Sequence, residues 1–244
     1  KATETGRRLC QHIDRVGLLE HELQADMPSF LQTEPTLVSV PLAVNADSLA
    51  TWFTAAISAF GKDAQVLLQI AVDDEGHTAE WLRSGQVLAA VTAKQEPAAG
   101  CNSLPLGAMR YLAAASPTFV ARYFPQGINP ESLATAPSLM FNAKDELQQR
   151  WAVSHCGHAV QMPRHRLPSP QAFVTAALSG LGWAMHPEAL VREHLDSGAL
   201  VELQPNSPLY VPLFWQHARM ASTLLRELTA AVSDAAKSGL VQGE

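Results

Sequence analysis

Two kinds of side chain in this 244-residue sequence stand where they could meet a small charged molecule: hydroxyls at helix starts and carboxylates at strand ends. Ser169 followed by Pro170 reads as a helix start, with serine as the cap and proline at the first helical position. Ser48, after Asp47, sits in another. Unpaired N–H groups and the helix dipole favour an anion at such places, and Asn45 and Asp47 offer further side-chain oxygens to the second start. Asp145 follows the run ending Phe141-Asn142, where a carboxylate can take a charge-assisted hydrogen bond from an ammonium group. Asp74 lies in the acidic run Asp73-Asp74-Glu75, and Thr92 closes a short apolar run. Each has a plainer reading: capping for Ser169, backbone bonding for Thr92, solvation for the acids.

The residues that could do covalent chemistry are poorer. His155-Cys156-Gly157-His158 has metal-ligand types, but zinc sites draw pairs from separate segments and the sequence has no second cluster. Ser154 beside His155 lacks a Gly-x-Ser-x-Gly elbow, and neither a Walker loop nor Gly-x-Gly-x-x-Gly occurs. The sequence therefore implies no enzyme, no metal and no cofactor. Trp215, with Gln216 and His217, reads as the core end of a strand.

Strands and helices must position these groups. From Thr36 on, short β-rich runs alternate with helical ones: Leu37 to Val44, Ser48 to Phe60, Val66 to Val72, Thr78 to Ser84, Val87 to Ala93. This alternation means crossover connections and a parallel sheet. A second series follows: a strand at Met109 to Ser116, a helix at Pro117 to Phe124, a strand at Ser138 to Asn142, a helix from Lys144 to about Ser154, a strand at His158 to Leu167 and a helix from Ser169 to Ser179. Gly182 to His186, Ala199 to Leu203 and Tyr210 to Gln216 read as strands, and Met220 to Ala236 as a terminal amphipathic helix. The expected fold class is α/β, with two subdomains, a hinge and a ligand crevice between the lobes at the strands' carboxyl ends. Ahead of them, Leu9, Ile13, Val16, Leu19 and Leu23 recur at helical spacing, marking an amphipathic helix that packs on another chain or domain.

Composition narrows the class. The chain is 47% hydrophobic and 16% charged, as in globular folds. The longest apolar reach, Gln171 to Met185, is interrupted by Thr175, Ser179 and two glycines, so a membrane span is not expected. A net charge of −6 opposes contact with phosphate backbones. Three cysteines without short spacing fit a reducing compartment, the cytoplasm. The sequence starts at Lys1 rather than methionine, and we read it as part of something longer.

Specific blocks carry a family resemblance. Gly6-Arg7-Arg8-Leu9 after Thr3 and Thr5, then the run from Asn45 to Trp52 (Asn-Ala-Asp-Ser-Leu-Ala-Thr-Trp), resembles the effector half of LysR-type transcriptional regulators, and within them the arginine/lysine-responsive branch that regulates basic amino-acid export. Val72-Asp73-Asp74-Glu75, Gly85 to Val91, Leu106-Gly107-Ala108, Ala121 to Pro125 and Glu188-Ala189-Leu190 support it, so the resemblance runs almost end to end. It implies a periplasmic-binding-protein type II fold with a dimerisation helix over 1–24, a linker over 25–36, subdomain I over 37–107 plus 207–240, and subdomain II over 108–206. It also implies a homodimer or tetramer, with DNA bound only through an N-terminal winged helix-turn-helix domain outside this sequence. Trp52 and Phe53 are either a subunit contact or core.

A basic amino acid presents a carboxylate, an α-ammonium and a distal cation. For such an effector (lysine, arginine or histidine) the expected contacts are Asn45, Asp47, Ser48, Asp74, Thr92, Asp145 and Ser169. The rival reading is a solute-binding protein of a transport system, which shares the fold but would begin with an export signal rather than a charged amphipathic helix.

Overall fold

A computed structural model describes residues 37–61, 66–73, 78–220 and 222–243, with scattered positions between 3 and 23. The expected linker over 25–36 and Asp74 lie outside the described residues. In the first segment Leu9, Ile13, Val16, Leu19 and Leu23 are all helical. The chain divides into unit 1, residues 1–107 and 212–244, and unit 2, residues 108–211.

Unit 1 is built on β1 (Val38–Asn45), β2 (Val66–Asp73) and β3 (Ala89–Thr92), with β1 parallel to both others. The returning strand β9 (Leu209–Ala218) lies antiparallel on β3, with Thr92 opposite Phe214. β1 is almost wholly apolar and its second half is buried, as expected of a strand covered on both faces. One cover is α1 (Ala46–Ala50), α2 (Phe53–Phe60) and the last helix α9 (Thr223–Gly239), which packs on α2. On the other side α3 (Thr78–Arg83) contributes Leu82 to a cluster with Ala43, Ala90 and Cys101.

The single helix expected from Ser48 to Phe60 is two. The Thr51 hydroxyl donates to the Asp47 carbonyl at 2.6 Å, competing with the backbone, and Thr51 leaves helical geometry at φ −122°, ψ −99°. Trp52 and Phe53 are core rather than contact surface: they are 5% and 0% exposed and meet edge-to-face at 5.5 Å. Phe53 also faces Trp215 at 6.2 Å. Gly239 of α9 permits this packing, since a Cβ there would fall 2.3 Å from Trp52 Cβ.

β4 (Cys101–Ala115) carries the chain into unit 2, and it begins earlier than the expected Met109. Pro105 and Gly107 read as strand breakers, yet Gly107 takes φ +117° where the Val241 carbonyl comes too close for any Cβ. Within unit 2, β7 (Ala184–Pro187) and β8 (Val201–Glu202) pair antiparallel with β4, while β5 (Ser138–Met140) pairs parallel with β6 (Arg164–Arg166). β6 is shorter than the expected strand from His158 to Leu167. The helices are α4 (Pro117–Tyr123), α5 (Pro130–Thr135), α6 (Leu147–Cys156), α7 (Pro170–Leu178) and α8 (Glu188–Asp196). Trp151 of α6 meets Trp183 at 5.3 Å, both fully buried, while Leu139, Phe173, Ala176 and Ala184 join α7 to the strands.

Candidate functional site

Because β1 and β3 run parallel, the groups at their carboxyl ends emerge on one side of unit 1. Asn45 ends β1 opposite Asp73 of β2 and is 1% exposed. It occupies the N-cap position of α1 but makes no capping bond, and neither amide atom has a hydrogen-bond partner. The expectation that its oxygen caps the helix is therefore wrong: the carboxamide is turned into the interior. An unsatisfied buried polar group costs about 1–3 kcal/mol.

Ser48 and Thr92 are engaged locally. Ser48 is fully buried and its Oγ accepts from Trp52 Nε1 at 3.1 Å, so the hydroxyl expected to face an anion braces the α1–α2 corner. α1 has only five residues, too few for an appreciable dipole. Asp47 is half-buried in its first turn. Thr92 is fully buried at the end of β3, and its Oγ1 accepts from the Lys94 N–H at 3.2 Å.

In unit 2, β5 and β6 are parallel and Leu167 N donates to Met140 O at 3.0 Å, so the segments carrying Asp145 and Ser169 leave the sheet at the same end. Asp145 closes the turn after β5: Oδ2 accepts from Phe141 N at 2.8 Å and Oδ1 from Leu147 N at 3.1 Å. Ser169 caps α7, accepting from Ala172 N at 3.3 Å, with Pro170 at the first helical position. The capping reading of Ser169 is thus realised.

Three polar side chains near these ends had no distinctive signal in the sequence. His186 of β7 is fully buried, packs edge-to-face on Phe173 of α7 at 6.2 Å, and leaves both ring nitrogens without a hydrogen bond. Burial pushes its pKa down to about 4; the Ala114 backbone opposes this weakly without forming a bond of normal geometry. Gln148, in the first turn of α6, is buried with Nε2 unpartnered. Arg110 of β4 pairs with Glu188, which also pairs with Arg192, at the start of α8. Only the isolated histidine in an apolar strand, Ala184-Met185-His186-Pro187, could have drawn notice.

Of the residues with metal-like types, His155 has a structural role. His155 stacks on Trp151 at 4.6 Å, and burial and the Glu131 charge push the Cys156 thiol up, disfavouring the thiolate that metals and nucleophilic chemistry require. No group of three or more possible metal ligands occurs among the described residues. A groove of about 840 Å³ lies wholly within unit 1, between the 95–97 segment and residues including Cys101, Phe214, His217 and Arg219, and none of the seven candidate residues lines it.

Residues 39–237 match the family model of the LysR substrate binding domain. The chain belongs to the LysR family. It is the effector-binding domain of a LysR-type transcriptional regulator, with the periplasmic-binding-protein type II fold of LysR regulatory domains. Over 242 residues, 99% of this chain and 80% of the relative, it is 42% identical to the HTH-type transcriptional regulator ArgP of Pseudomonas fluorescens. The C-terminal domains of a LysR family protein from Agrobacterium tumefaciens are 50% identical with a TM-score of 0.82, covering 84% of this chain and all of that one. Full-length LysG of Corynebacterium glutamicum with bound effector arginine is 36% identical with a TM-score of 0.81, covering 99% of this chain and 81% of that one.

Proposed function

We propose that this LysR domain senses a basic amino acid (arginine, lysine or histidine) and controls transcription of an amino-acid exporter from the cytoplasm, without catalysis. The observation that carries the reading is the similarity, over nearly its whole length, to a LysG that holds arginine. Asn45, Asp47, Ser48, Asp74 and Thr92 in unit 1 and Asp145 and Ser169 in unit 2 are the effector-recognising residues. The unpartnered Asn45 amide supports this most directly, because it can donate to a carboxylate and accept from a guanidinium or ammonium group. The Asp145 oxygens supply negative charge for a cation.

The helix over 1–24 is the dimerisation element in this reading, followed by a linker over 25–36 and the two sensing subdomains. Leu9, Ile13, Leu19 and Leu23 are each at least half exposed in the single chain, an apolar row suited to a second copy. DNA is bound through an N-terminal winged helix-turn-helix domain outside this sequence, and the effector acts by favouring one subunit arrangement over another.

Thermal unfolding against a panel of amino acids tests the reading. A ligand at about a hundred times its Kd adds roughly 2.7 kcal/mol, so arginine, lysine or histidine raises Tm by several degrees while glutamate and leucine do not. Absence of a shift with all three basic amino acids rejects the effector class.

A further inference from the structure

Gln216 uses both ends of its side-chain amide. It is fully buried on β9, opposite Ala90 of β3. Its Oε1 accepts from Ala98 N at 3.0 Å, and its Nε2 donates to the Lys94 and Glu96 carbonyls, each at 2.8 Å. The segment after β3 has no regular secondary structure, so a buried amide from a strand more than a hundred positions later supplies backbone partners that a sheet would otherwise provide. The same segment fixes a candidate site residue: the N–H of Lys94 donates to Thr92 Oγ1 at 3.2 Å. The two bonds meet at one residue: Gln216 holds the carbonyl of Lys94, and the N–H on the other side of the Lys94 Cα reaches the Thr92 hydroxyl. β9 is also the strand by which the chain returns from unit 2 at Pro212.

We propose that Gln216 is a positioning residue for effector recognition: through Lys94 it holds the Thr92 hydroxyl in its binding orientation and ties that orientation to β9. The inference rests on the reading of Thr92 as an effector-recognising residue. A ligand that bonds Thr92 then favours one placement of Lys94, and with it one placement of the β9 backbone, so that occupancy is felt by the connecting strand.

The test is a double-mutant cycle read by calorimetric binding of L-arginine to the whole protein. Gln216→Met keeps length and burial and removes all three bonds, and Thr92→Val removes the hydroxyl. Each single variant is expected to weaken binding about tenfold, with the double variant no weaker than the weaker single, because Gln216 acts only through Thr92. Amide exchange at Lys94 and Ala98 should quicken at least tenfold in Gln216→Met. If Gln216→Met fails to fold, Gln216→Glu replaces it in the cycle: it keeps the acceptor for Ala98 but sets an oxygen against two carbonyls, so its weakened binding recovers on acidification as the carboxyl gains a proton to donate. Binding within twofold of wild type in the Gln216 variant, or losses that multiply fully in the double variant, overturns the inference while leaving the effector reading intact. Unchanged binding in Thr92→Val refutes Thr92 as an effector residue and the inference with it, and no binding of any basic amino acid by the wild-type protein rejects both.

Discussion

The carboxyl ends of the strands are finished differently in the two units. In unit 1 Asn45 and Thr92, which end β1 and β3, are buried, and the Asn45 amide makes no hydrogen bond. In unit 2 the corresponding candidates are half-buried and tied to backbone: Asp145 closes a turn with both oxygens and Ser169 caps a helix. A buried amide without a partner raises the energy of the unliganded protein, and a ligand can recover that cost. A capping carboxylate or hydroxyl already has its reward in local stability, so a ligand adds less there. Under the proposed reading, the unit 1 amide gains more from an effector per polar group than the capping groups of unit 2 do.

The largest effect expected concerns His186, which breaks this pattern because it is a buried, unpartnered polar group in unit 2. Its pKa falls from 6.5 to about 4 on folding, so the unfolded chain takes up a proton first as pH drops. The contribution is fully present above pH 6.5 and is lost as pH falls from 6.5 towards 4, up to about 3 kcal/mol. Chemical denaturation at pH 7 and pH 4.5 should show this loss in the wild type and not in His186→Leu. An equal slope in both proteins would place the acid sensitivity elsewhere.

Asn45→Leu sharpens the comparison next. Unfolding without ligand should be unchanged or slightly harder, while arginine binding weakens by about 2 kcal/mol, roughly thirtyfold. A destabilised variant with normal affinity would mean that the amide serves the fold. In Gly239→Ala the added methyl is forced against Trp52, and a cost of about 1–3 kcal/mol should appear in unfolding with little change in affinity per folded molecule. The smallest effect expected is that of Ser169→Ala: about 1 kcal/mol of stability through the lost cap, and a smaller loss of affinity than for Asn45→Leu. If Ser169→Ala weakens binding more than Asn45→Leu, the ranking of the two groups is reversed.

Legibility in the sequence followed the range of the interactions involved. The start of α7 could be read because serine, proline and the N–H of Ala172 lie within four residues of one another. The parallel strands of unit 1 could be read from continuous apolar runs. The break at Thr51 was hidden because it depends on which hydroxyl wins a carbonyl, and the early part of β4 was hidden because Pro105 and Gly107 oppose a strand by type. The orientation of Asn45, the use of Ser48 by Trp52, the isolation of His186 and the three bonds of Gln216 had no local signature.

Residue order by itself determined the alternation of strands and helices, the cap of α7 and the family, since these depend on side-chain chemistry and spacing within a few turns of chain. Tertiary structure decided which polar groups at the strand ends are spent and which are kept waiting. That outcome depends on burial and on partners such as Ala98 and Gln216, which are adjacent only after the sheet has formed.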